Sequence, residues 1–304
     1  MSSMSRRAVL KAAAAGAAGL VGVLPRPLAK TAVASDQYSS VVLAKGPVGY
    51  WRLGEADGPS AVDISGNGYG GSYLGNPAFQ QPGAIVNDPD TAIGCNGPDS
   101  RDYVEILDPD SQAFSQPTST LGLTVEVWMR PDVLTFRGQT SERYIHWLGK
   151  CVDGSGQCEW GLRFYSQDSP SRPNRISAYI WNPEGGLGAG AFFQDVLTPG
   201  QWMHIVAVYE PGDKDTDPPA GVHIYRDGVY RQGPPSSGTL YRSFGIVPAH
   251  GTLPVRLGTR DAAISPSVNS VSYLTGGLDE VAIYPRVLTA PEIRENYCVG
   301  SEQC

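Results

Sequence analysis

Histidine and methionine are scarce in this chain, at four residues each among 304, and charged side chains make up only 17% of it. No Cys-x-x-Cys pair occurs, which removes the closely spaced thiolate sites of structural zinc. There is neither a Gly-x-Ser-x-Gly elbow nor a Gly-x-x-x-x-Gly-Lys loop, so two common catalytic turns are missing. No Glu-x-Asp-x-Glu run places carboxylates at alternate strand positions, where they would share one face for glycoside hydrolysis. An excess of basic residues is also lacking: acids outnumber bases by 30 to 23. That balance excludes the basic footprint of a nucleic-acid protein. It suits cation binding, neutral glycans or plain solubility. No apolar run reaches the ~20 residues of a membrane-spanning helix. Glycine and proline, by contrast, are abundant at 37 and 25 residues, as a β protein with many turns requires.

The N-terminus carries Ser5-Arg6-Arg7-Ala8-Val9-Leu10-Lys11, then an Ala/Gly-rich apolar run from Ala12 to Leu24, then Ala32-Val33-Ala34. This resembles a twin-arginine export signal over residues 1–34, with Val9 where Phe is commonest. The resemblance implies a bacterial, secreted or extracytoplasmic protein with the segment removed. Loss of Arg6, Arg7, Lys11, Arg26 and Lys30 takes the formal charge from −7 to −12. Residues 35–47 then read as a short leader, and 48–304 as one domain.

All five cysteines lie beyond the signal. Cys151 and Cys158 flank a turn-rich loop between two strand-like runs and predict a disulfide across a hairpin. Cys298 and Cys304 flank a short tail and pair likewise. Cys95 is left as a buried thiol, with a Cys95–Cys298 bridge as the alternative.

Short alternating runs recur along the domain: Tyr50-Trp51-Arg52-Leu53, Val125-Glu126-Val127-Trp128, Trp202-Met203-His204-Ile205-Val206-Ala207-Val208 and Leu278-Asp279-Glu280-Val281-Ala282-Ile283-Tyr284. Asp227-Gly228 marks a tight hairpin, and Asp63-Ile64-Ser65-Gly66-Asn67-Gly68 a polar turn. In the last run, Leu278, Glu280, Ala282 and Tyr284 are expected on one face, with Asp279, Val281 and Ile283 on the other. A short helix follows, with Thr289 as cap, Pro291 in its first turn and Glu292 three residues after the cap. In this order the blocks resemble the laminin-G-like jelly roll of the concanavalin A-like lectin/glucanase superfamily. The implied fold is all-β, a sandwich of two antiparallel sheets, and its usual work is binding sugars or proteins.

Relatives of this fold often hold a calcium between the first strand's loop and the last strand. The resemblance implies Glu55, Asp57, Asp63 and Asp279 as its ligands, since calcium takes six to eight oxygens. A glycan face is expected from alternation. If Leu162, Ile176, Ala178 and Ile180 point inward, then Arg163, Tyr165, Tyr179 and Trp181 line one outer face, where sugar rings stack on aromatics. The alternative is that a loop caps those aromatics. Trp128 and Trp202 are expected in the core and His204 as structural. Jelly-roll lyases pair His with Tyr beside Arg, which makes His204 with Tyr209 and His146 with Tyr144 the pairs of the enzyme alternative. The expected function is non-catalytic binding of a polysaccharide, glycoconjugate or cell-surface partner, stabilised by calcium. A polysaccharide-degrading enzyme and a protein–protein adhesion module are the competing readings.

Overall fold

The computed structural model describes residues 35–108, 113–115, 122–138, 140–151, 158–180, 189–210, 221–231, 253–260 and 272–304. Sixteen strands and two helices are described within them. The strands are β1 (Gly49–Trp51), β2 (Ser60–Ala61), β3 (Gly71–Leu74), β4 (Ala78–Pro82), β5 (Thr91–Asn96), β6 (Tyr103–Ile106), β7 (Leu123–Pro131) and β8 (Tyr144–Cys151). They continue with β9 (Cys158–Tyr165), β10 (Arg175–Ile180), β11 (Ala189–Gln194), β12 (Met203–Glu210), β13 (Gly221–Arg226), β14 (Val229–Arg231), β15 (Val255–Leu257) and β16 (Thr275–Tyr284). The first sheet runs β14-β13-β12-β7-β16-β5-β4, with β1 also pairing β16; the second runs β11-β10-β9-β8-β15-β6-β3-β2. Every pairing is antiparallel, and sequence-distant strands such as β7 and β16 lie side by side. This is the two-sheet sandwich that the alternating runs imply.

Inward positions of both sheets interdigitate as the main core. Leu123, Val125, Val127 and Met129 of β7 meet Leu162, Phe164, Ile176 and Ala178 of the opposite sheet, all buried. The predicted inward set on β9 and β10 is therefore the observed one. A second apolar cluster lies on the outer face of the first sheet, where Trp128, Val206, Val208, Ala282 and Tyr284 pack against two helices. Those are α1 (Ser35–Ala44) and α2 (Ala290–Ser301).

Helix α2 has the predicted start: Thr289 and Glu292 form a reciprocal capping box with Pro in the first turn. Helix α1 stands where a leader was expected. Its Tyr38 and Val42, one turn apart, are fully buried, so tertiary burial rather than an amphipathic repeat accounts for it.

The last strand departs from strict alternation. Its register with β7 shifts between Asp279 and Ala282, and Glu280 sits at φ 51°. The bulge inserts an extra residue and reverses the phase. Leu278 faces the main core before it; Val281 and Ile283 do so after it, while Ala282 and Tyr284 turn to the helices.

Cys298 and Cys304 are bridged, with Cα atoms 5.4 Å apart. Cys151 is disulfide-bonded and lies opposite Cys158 in the β8–β9 ladder; the Cys158 side chain is outside the described residues. Cys95 is free and buried, and burial pushes its thiol pKa up.

Candidate functional site

Three polar clusters among the described residues contain expected site residues. The first is on the outer face of the first sheet, where β7 alternation turns Glu126 away from the main core. The helices cover it completely. Its Oε1 accepts from Tyr38 Oη at 3.1 Å and lies 2.7 Å from His204 Nε2. Its Oε2 accepts from Tyr284 Oη at 2.7 Å and Asn296 Nδ2 at 2.8 Å. Trp128 Nε1 donates to Tyr38 Oη at 2.9 Å. Burial alone would raise the Glu126 pKa, but the bonds from His204, Tyr284 and Asn296 hold it below its ordinary value. Glu126 and His204 therefore tie α1 and α2 to the sheet. Trp128 is buried as expected, though in this outer cluster; Trp202 is only half-buried, under the Arg130 guanidinium 5.0 Å from its ring centroid.

The second cluster centres on Arg52 at the end of β1. Its guanidinium pairs with Asp88 at 2.8 Å, and with Asp90 and Glu280 at 2.9 Å each. Tyr50 Oη donates to the other oxygen of Glu280. Asp279 Oδ2 accepts from the Ala84 amide at 2.7 Å, while its Oδ1 is buried without a hydrogen-bond partner. One cation among four carboxyls is too few. Burial above all, with neighbouring acids, raises the pKa values of Asp279, of Asp90 and of Glu280, the last to about 7.

The four expected calcium ligands are only partly brought together. Glu55 and Asp279 both flank Asp90 in this cluster. Glu55 accepts from the Val62 amide at 2.8 Å and from Tyr73 Oη. Asp63 is engaged by backbone: Oδ1 accepts from the Tyr50 and Ser65 amides, and Oδ2 from the Tyr69 amide. That is an Asx-turn with both oxygens engaged. Asp57 is exposed. Among the described residues, no three His, Cys, Asp or Glu side chains converge as a metal would need.

The third cluster is the expected glycan face, on the outer side of the second sheet. Arg163, Tyr165 and Tyr179 do share that side; Trp181 lies outside the described residues. Arg163 is sandwiched between Tyr144, 4.4 Å from its ring centroid, and Tyr179, at 4.6 Å. Its Nε donates to His146 Nε2 at 2.7 Å. Tyr165 and Tyr179 hydroxyls lie 3.3 Å apart, and Arg172 donates to Tyr165 Oη at 2.9 Å.

Burial lowers the His146 pKa, and the charges of Arg163 and Arg260 lower it further. Burial would raise the Tyr165 phenol, yet the Arg163 charge and the Tyr179 hydroxyl hold it below its usual value; Tyr179 is pushed up to about 12 by burial and by Tyr165. The face is more closed than an open stacking platform. Tyr165 is 0% and Tyr179 7% exposed, whereas Tyr144, Arg163 and Arg172 are half-buried. From sequence, Tyr144 and His146 stand out only as an enzyme pair, and nothing marks Arg172. Continuing the alternation along β8, where Ile145 and Trp147 point inward, would have added the first two to this face.

Two antiparallel sheets over one core, closed by β16 beside β1 and β7, define a jelly-roll sandwich of the lectin type. The chain belongs to the concanavalin A-like lectin/glucanases superfamily, whose Laminin_G_3 model matches residues 98–294. No curated protein matches it in sequence. The binding domain of botulinum neurotoxin serotype C1 is similar in structure, with a TM-score of 0.55 at 11% identity, over 86% of this chain and 53% of that one. A botulinum neurotoxin type C structure, described as dependent for cell entry on two ganglioside molecules, has a TM-score of 0.56 at 11% identity, over 88% and 53%. The botulinum type G receptor-binding domain has a TM-score of 0.51 at 14% identity, over 84% and 51%. The chain thus spans about half the length of these structures, and the likeness is one of fold.

Proposed function

We propose that this protein is an exported binding module for a glycoconjugate, engaged at the half-buried edge of the second sheet's outer face. The observation that carries this is the Tyr144–Arg163–Arg172 edge, an aromatic ring and two guanidiniums with no carboxylate bonded to Arg172 among the described residues. Rings stack sugar faces, and guanidiniums bond hydroxyls or carboxylates. Ganglioside recognition by a structural neighbour supports the same reading. The twin-arginine segment supports export. A structural calcium at Asp279 is part of the proposal, supported by its buried Oδ1, which has no hydrogen-bond partner.

A second reading, a jelly-roll lyase, is favoured by the His146–Arg163 and Tyr165–Tyr179 contacts, where the Tyr165 phenol titrates below its ordinary value. Full burial of His146 and Tyr165 opposes it, because a base must reach the proton it removes. The test is retention of the protein on insoluble polysaccharides and a glycan array, with calcium and with chelator, while supernatants are assayed for unsaturated sugars. Retention lost in Arg163→Ala, without sugar release, supports the binding module. Release of unsaturated oligosaccharides replaces it with the lyase. A melting temperature unmoved by chelator removes calcium from the reading.

A further inference from the structure

A cavity of about 350 Å³ lies on the inward side of β8 and β9, where Ile145 and Phe164 alternate with the outward Tyr144 and Arg163 of the tyrosine–arginine edge. Such a volume lies in the ~300–1,000 Å³ range of small-molecule sites. Its floor is apolar: Phe136, Ile145, Phe164 and Leu274 line it, with the two phenylalanine rings 5.0 Å apart. Arg137 and Asp99 also line it, and both are exposed. Neither forms an ion pair or side-chain hydrogen bond among the described residues, with each other or with any neighbour.

The walls are held in place. The Asp102 carboxylate fixes the β5–β6 loop by accepting from the Asn76 and Asn96 amides, each at 2.7 Å, and from Ser100 Oγ at 2.6 Å. On the other side, the Phe136 amide donates to Ser166 Oγ at 3.0 Å, and the Gln167 amide to the Leu134 carbonyl at 2.8 Å. A preformed cleft binds without first having to order its own loops.

An apolar floor under one cation and one anion, both without partners, complements a ligand with an apolar body and both charges at one end. We propose that the cleft binds a free α-amino acid with an aromatic or large aliphatic side chain. The side chain fills the floor, the α-carboxylate pairs with Arg137 and the α-ammonium with Asp99. A sugar suits the floor poorly, because four apolar side chains would bury its hydroxyls without partners.

Calorimetric titration of the full-length protein with L-phenylalanine and L-leucine tests this. N-acetylphenylalanine lacks the ammonium, phenylalaninamide lacks the carboxylate, and L-lysine lacks the apolar body. Phenylalanine and leucine are expected to bind, and each altered probe to bind about tenfold or more weakly, the order of a charge-assisted bond lost. Arg137→Ala is expected to abolish the preference for phenylalanine over its amide, and Asp99→Asn the preference over the N-acetyl form. Both side chains are exposed, so melting temperatures stay at the wild-type value and show that each variant folds. Polysaccharide retention is also unchanged in both variants, which keeps this site separate from the glycan edge. No heat with either amino acid, or equal binding of all the probes, overturns the proposal.

Discussion

Glu126 and Glu280 are both buried carboxyls on the first sheet, and their surroundings push them in opposite directions. Glu126 is surrounded by donors, and its pKa is lowered. Its contribution to stability is therefore complete above the unfolded value, about 4.3, and fades as pH falls through its folded value. Glu126→Ala leaves Tyr38, Tyr284 and Asn296 without their acceptor and is expected to cost about 3–5 kcal/mol, measured by urea denaturation. Glu280 shares Arg52 with two aspartates and titrates near 7 when folded. The folded state then holds a proton that the unfolded chain has released, so stability falls as pH rises from about 4.3 towards 7. Asp279 adds to the same trend. Glu280→Gln cannot ionise, and its urea midpoint is expected to change less than the wild type's between pH 5 and pH 7.5. An equal change in both would assign the slope to other groups.

At the scale of elements, what could be read from the sequence followed periodicity and capping. The inward sets of β7, β9, β10 and β12 are strict alternations, and α2 begins at the predicted capping box. Two elements escaped. The bulge in β16 depends on Glu280 adopting positive φ, which no local residue preference signals. Helix α1 depends on long-range partners, since Tyr38 Oη donates to Glu126 and accepts from Trp128, 88 and 90 residues away. The calcium set shows the same limit: the resemblance groups Asp63 with Glu55, but three backbone amides already engage Asp63. If the hydroxyl is what docks α1, Tyr38→Phe should lower stability by about 1–3 kcal/mol, the cost of removing a bond to a charged group. Chemical denaturation reads the loss, and faster amide exchange in 35–44 than in the wild type locates it.

For the whole molecule, the outer faces decide where a partner can sit, and alternation alone does not reveal whether such a face is open. It placed Arg163, Tyr165 and Tyr179 correctly on one side of the second sheet; their burial comes from packing among those same long side chains and with Tyr144 and Arg172. The first sheet's outer face is closed differently, by helices that follow the last strand and precede the first. There Ile293 and Asn296 of α2 are fully buried, and Tyr297 stacks on Trp128 with ring centroids 6.1 Å apart. Removing residues 289–304 would strip the Asn296 bonds from Glu126 and return Trp128, His204 and Leu288 to water. Loss of one buried aliphatic side chain and of bonds to a charged group totals about 4 kcal/mol. In a domain of this size that corresponds to a fall of roughly 10 °C in melting temperature. Near-ultraviolet circular dichroism should show a weaker Trp128 signal in the same variant, because the ring loses the stacked Tyr297 and keeps only Tyr38 and His204 beside it. A shortened chain whose melting temperature and Trp128 signal are both unchanged would mean that α2 rests on a sheet that is already complete without it.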